Sequence, residues 1–168
     1  MNETHSPLRT LMSAADGSVI PLGELYGTRY AKGAHGDGFA VLPPAGMQRL
    51  RLSAENAARS LIEGADSAGL YAPADGVVTA LDPRGRLTLR TCDALEVCVV
   101  FGAGAHISVG VGERLLSAQQ FGVLGEGVRA EGCAALVILP QTERITELHI
   151  ETGARRGGRQ AATYRAVL

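Results

Sequence analysis

The chain has 168 residues, 46% of them apolar, and a formal net charge of −1 from 16 Lys and Arg against 17 Asp and Glu. This length and apolar share supply one domain's core and argue against a disordered chain. The near-neutral balance excludes a global field that would recruit nucleic acid or an anionic membrane.

Gly fills 22 positions, aromatics make up 4% and Trp is absent, a composition of tight turns between strands packed with Val, Leu and Ala. In chain order, residues 1–16 hold no apolar stretch of signal-peptide length. Period-two or continuous apolar runs predict strands at 18–22, 38–42, 76–81, 87–91, 95–101, 107–111, 133–139, 145–151 and 162–168. A turn is expected at 82–85, where Pro83 and Gly85 punctuate two of these runs, and another at 153–158. One helix is expected over 53–63: Ser53 caps it, Glu55 sits in its first turn, Ala54, Ala57, Ala58, Leu61 and Ile62 recur at helical spacing, and Gly64 stops it. It would lie on the surface over an edge of the β core. Many short strands predict an all-β sandwich or barrel. No window approaches the roughly 18 apolar residues of a membrane helix. Cys92, Cys98 and Cys133 are odd in number and lack Cys-x-x-Cys spacing, which predicts a reduced, cytoplasmic protein.

Three stretches carry more specific information. They are Gly36-Asp37-Gly38-Phe39-Ala40-Val41-Leu42-Pro43, Tyr71-Ala72-Pro73-Ala74-Asp75-Gly76-Val77-Val78 and Glu96-Val97-Cys98-Val99-Val100-Phe101-Gly102. Together they resemble the glucose-class IIA protein of the bacterial phosphoenolpyruvate-dependent sugar phosphotransferase system. Gly17, Pro21, Leu22 and Tyr30 fall on further family positions, and 125–132 resembles a Gly-rich turn of the family with one inserted residue. The resemblance runs from Ala14 to about Ile138, interrupted at 47–70. It implies a duplicated-hybrid-motif β-sandwich or barrel, in a single IIA-like domain over 1–168. The inserted surface helix would fall within 47–70, and a C-terminal β extension would occupy about 140–168.

In that family the third stretch carries a His that accepts a phosphoryl group on a ring nitrogen, and a second His in a Thr-x-His-Ala stretch lies beside it. Here those positions are Val100 and Arg86. Valine has no lone pair, and arginine stays protonated, so neither can serve as the acceptor. The resemblance therefore implies no catalytic residue at this site, and neither the family's partner-shared zinc nor any cofactor is expected. His5, His35, His106 and His149 read as loop or solvated residues.

Docking could outlast the lost chemistry. Phe39, Val41, Val78, Val100 and Phe101 would either form an uncharged partner-binding patch or simply extend the core. Arg84 and Arg86 would hold an anion, a phosphate or a partner's carboxylate, or stay solvated in their turn. Arg155, Arg156 and Arg159 cluster in a Gly-rich tip with no aromatic among them, which favours a solvated turn over a phosphate-backbone site. Gly102-Ala103-Gly104 has Ile107 where a dinucleotide fingerprint needs its third Gly, and 65–69 lacks the first Gly of a nucleophile elbow. The resulting expectation is a non-catalytic docking or regulatory module of sugar uptake. Its partners would be proteins, such as carrier or transporter components of the phosphotransferase system, with no nucleic acid and no membrane insertion. The alternative is a small-ligand-binding protein or enzyme that reuses the sandwich.

Overall fold

The computed structural model describes residues 7–25, 35–43, 69–82, 84–102, 104–124 and 133–167. The expected helix at 53–63, most of the segment 47–70, the turn at 125–132, Tyr30 and His5 lie outside the described residues.

Apolar alternation bounded by Gly and Asp makes strands of almost everything described. They are β1 (Leu8–Met12), β2 (Gly17–Pro21), β3 (Asp37–Leu42), β4 (Gly69–Tyr71), β5 (Gly76–Asp82), β6 (Arg86–Arg90) and β7 (Glu96–Val100). The second set is β8 (His106–Ile107), β9 (Arg114–Leu115), β10 (Gln120–Val123), β11 (Ala135–Leu139), β12 (Ile145–Ile150), β13 (Gly153–Arg155) and β14 (Gln160–Ala166). Every pairing is antiparallel. Eight strands form one sheet in the order β13-β2-β3-β11-β7-β6-β5-β9, and two three-stranded sheets, β1-β14-β12 and β4-β10-β8, complete an all-β sandwich.

The order of the large sheet is palindromic in kind. Outward from the central β11–β7 pair, β11 answers β7, β3 answers β6, β2 answers β5 and β13 answers β9. Val137 and Val99 face each other at the pseudo-dyad, flanked by Leu136 opposite Val100 and Ile138 opposite Cys98. The turns repeat as well: Asp16 Oδ1 accepts the Gly157 N–H at 2.6 Å, and Asp75 Oδ1 accepts the Ser117 N–H at 2.5 Å. The two halves are tied by reciprocal backbone bonds, Met12 N–H to the Pro73 carbonyl and Tyr71 N–H to the Ala14 carbonyl, both 2.8 Å.

Inward-facing Val19, Phe39, Val41, Leu87, Leu89, Val97, Val99, Val137 and Leu139 make one core with Leu11, Leu70, Phe121 and Tyr164. The opposite face of the β3 and β11 strands carries a second, smaller cluster, in which Ala40, Leu136 and Ile138 pack with Leu22, Leu25, Cys98 and Cys133. The run at 107–111 is shorter than its apolar pattern suggests. Only His106–Ile107 pairs, with β10, because Ser108 spends both its N–H and its hydroxyl on the Phe121 carbonyl and a turn closes from Gly110 to Glu113. The C-terminal strand β14 contributes Ala161, Ala162, Tyr164 and Ala166 to the main core.

Candidate functional site

The turn after β5 sets up the site. Asp82 Oδ1 accepts the Arg84 N–H at 2.8 Å, and the Asp82 carbonyl accepts the Gly85 N–H at 3.0 Å. Gly85 has φ +104, and a Cβ there would stand 2.1 Å from the Gly102 carbonyl oxygen. Only glycine, having no Cβ, admits that left-handed backbone together with so close an approach. The turn delivers Arg86 to the start of β6 in register with Val100, Thr88 with Cys98 and Arg90 with Glu96.

Arg86 and Val100, the positions singled out by the sequence, are thus direct cross-strand partners on one face of the large sheet, both half-buried. The Arg86 Nη2 donates to Cys98 Sγ at 3.2 Å, and Thr88 Oγ1 lies 3.7 Å from the same sulfur. Cys98 is 1% exposed. The face therefore presents a permanent cation, a hydroxyl and an aliphatic side chain, with its one thiol buried beneath them. Such a set can hold an anion or contact a protein, but it offers no imidazole to accept a phosphoryl group.

The other expected patch residues do not join Val100. Phe39 and Val41 are 0% exposed, Val78 1% and Phe101 4%, all within the main core. The expectation of one exposed apolar patch is corrected for these four. The reason is strand alternation: Val100 and Phe101 are consecutive, so they leave opposite faces, and Phe101 turns inward to meet Phe121 with ring centroids 6.1 Å apart. Arg84 is exposed in the turn.

The histidines fall elsewhere. His106 is on β8 and His149 on β12, in two different three-stranded sheets, and His35 precedes β3; all three are exposed. Among the described residues no group of three or more His, Cys, Asp or Glu is placed to hold a metal ion. Gly102 and Gly104 lead into β8 rather than into a helix, so that segment lacks the helix N-terminus a dinucleotide phosphate would need. Arg155 is occupied locally, donating to the Ala154 and Gln160 carbonyls at 2.9 and 3.3 Å.

Sequence reasoning did not single out one charged cluster. Arg9 makes a bidentate pair with Asp93 at 2.8 and 2.9 Å, and Arg144 donates to the Asp93 and Ala94 carbonyls at 2.8 and 2.9 Å. Together they fasten the β1-β14-β12 sheet to the β6–β7 turn. The hydrogen bond to Asp93 holds the Arg9 guanidinium above its ordinary pKa. Burial first, and the Asp93 charge second, push the Tyr164 phenol above its ordinary 10.0. Residues from sequence positions this far apart meet only through the sheet pairing, so no local motif could have flagged them.

Among the described residues no helix is long and apolar enough to cross a membrane. No family model matches the chain, and no curated protein matches it. The solved structure of glucose permease IIA from Mycoplasma capricolum is similar at a TM-score of 0.69 and 15% sequence identity, covering 94% of this chain and 96% of that one. At this identity the likeness speaks to architecture: this chain has the β-sandwich fold of a glucose permease IIA.

Proposed function

We propose that this chain is a degenerate IIA-like protein, a single unit over 1–168 that no longer relays phosphoryl groups. It acts in the cytoplasm as a docking or regulatory module linked to carbohydrate uptake. The observation that carries this reading is the Arg86–Val100 pair. The two positions at which the resemblance puts the family's imidazoles are cross-strand partners on one half-open face, as two groups sharing one phosphoryl would have to be. Here neither accepts one: the guanidinium is always protonated and the isopropyl group has no lone pair. Cys98, the thiol that Arg86 contacts, is 1% exposed and hydrogen-bonded.

With the acceptor gone, surface contact is the capacity that remains. Val100 supplies an apolar contact, while Arg84 and Arg86 supply donors for a partner's carboxylate or phosphate. The partners are proteins, among them carrier or transporter components of the phosphotransferase system; no cofactor, metal or nucleic acid enters.

The test is incubation with phosphoenolpyruvate, the general relay enzyme and the histidine carrier protein, followed by intact-mass measurement. No acid-labile mass gain is expected, and a stoichiometric gain overturns the reading. A thermal-shift screen with sugars, sugar phosphates and nucleotides adds a second readout. A docking module responds to none of these, whereas a reproducible stabilisation favours a ligand-binding protein on the same scaffold.

A further inference from the structure

Among the described residues the outer face of β5, β6 and β9 is largely exposed, with three arginines against one aspartate. Strand pairing lays Arg114, Val77, Arg90 and Glu96 in one row across four strands, and Asp82, Arg86 and Val100 in a parallel row. Alternation keeps these side chains opposite the core, into which Val78, Leu87, Leu89 and Leu115 point. Arg90 and Arg114 are exposed, and Val77 between them is 38% exposed. Neither arginine enters an ion pair among the described residues. Adjacent strands lie about 4.8 Å apart and residues along a strand about 3.3 Å, which sets Arg114 and Arg90 about 10 Å apart and Arg90 and Arg86 about 13 Å apart. Three guanidinium groups thus gather on one small face of a chain whose net charge is −1.

From this arrangement we infer that the face is a docking surface for an acidic segment of a partner protein. Partner carboxylates pair with Arg90 and Arg114 while an apolar residue sits on Val77. The inference deepens the docking reading by naming the partner's chemistry, and it rests on that reading only where the surface continues to Arg86 and Val100. Charge complementarity selects the acidic partner, and guanidinium forks suit carboxylates in particular. The chemistry also separates a protein from the other polyanions. No aromatic stands among these residues for a base to stack on. Glu96 and Asp82 close two corners of the face, which interrupts any continuous phosphate track. A valine between two arginines matches a side chain pattern, not a uniform backbone charge.

The test is an isotope-labelled NMR titration of the full chain with a soluble peptide carrying Glu on both sides of a central Leu. The expected result is shifts confined to β5, β6 and β9, with the double substitution Arg90→Glu, Arg114→Glu weakening binding at least about tenfold and leaving the spectrum folded. Should that double variant fail to fold, Arg90→Gln with Arg114→Gln carries the same comparison. Absence of binding, shifts on other strands, or an affinity untouched by the substitutions overturns the inference. So does tighter binding of a polyuridine strand or of phosphatidylserine vesicles at equal ionic strength. If Val100→Thr weakens the peptide and the arginine variants do not, the charge assignment fails and docking at Val100 stands. Phosphoryl uptake in the mass assay fails the docking reading instead and leaves this surface untouched.

Discussion

The two halves of the large sheet share a backbone plan and differ in what they show to the outside. Across the Val137–Val99 dyad, Gly38 opposite Ile138 in the first half corresponds to Arg86 opposite Val100 in the second. Ala40 likewise corresponds to Thr88, and Leu42 to Arg90. Ala40 and Leu42 pack into or against the secondary apolar cluster with Leu22 and Leu25, which Val100 borders from the second half, while Arg86 and Thr88 stay half-buried and Arg90 is exposed. Inner faces are alike, with Phe39 and Val41 answering Leu87 and Leu89 in one shared core. Burial dictates the inner residues of both copies, but the outer face is free to diverge: one copy is closed by apolar packing and the other left open and cationic.

Three experiments break or sharpen this comparison. The largest effect belongs to the inner face. Phe39→Ala should cost about 3–5 kcal/mol of unfolding free energy, the loss of a fully buried aromatic, whereas Val77→Ala on the open face should change it by about 0.5 kcal/mol or less. Urea denaturation of both variants measures this, and a mild Phe39→Ala would return that residue to the surface.

The second contrasts the dyad-related pair. A Cβ on Gly38 would stand 1.9 Å from the Val137 carbonyl oxygen at φ +155. Gly38→Ala should therefore cost about 3 kcal/mol or more, because backbone must shift to admit it. Arg86→Ala, on the half-open side, should cost about 1 kcal/mol. Equal losses in the two variants would mean that the backbone around Gly38 yields readily to a Cβ.

The smallest effect is a pH dependence in the sheet that abuts the β6–β7 turn. The folded state holds the Tyr164 proton more tightly than the unfolded chain does, since burial raises that phenol above 10.0. Its stabilising contribution is complete below that value and is lost as the pH rises through the higher folded-state value. The melting temperature of the native chain should fall more steeply above pH 10.0 than that of Tyr164→Phe. Parallel curves would remove Tyr164 as the cause.

Much of the fold was legible beforehand because inner-face residues obey a local rule. The runs that became β2, β3, β5, β6, β7, β11, β12 and β14 alternate or stay apolar over several residues, bounded by Gly or Asp. β1, β4, β9, β10 and β13 were not anticipated. Leu8-Arg9-Thr10-Leu11-Met12 has no clean period, and β9 is two residues long; such segments are strands because β14, β10, β5 and β2 offer them free edges. The site was half legible. Residues 86 and 100 were picked out by motif, and their cross-strand pairing is what places them side by side. The accompanying patch was misjudged because four of its members point inward: apolar type alone does not say which face of a sheet a residue occupies.

The sequence by itself determined the β class, most strand positions, the Asp82–Gly85 turn and the chemistry unavailable at residues 86 and 100, since alternation, turn residues and functional groups are written along the chain. Only the tertiary structure decided that Phe39, Val41, Val78 and Phe101 are core, that Arg9 and Arg144 clasp the Asp93 turn, and that Arg86, Arg90 and Arg114 share one face. Those outcomes depend on register and on which strands become neighbours, quantities set by packing of the whole sheet and by no local stretch of residues.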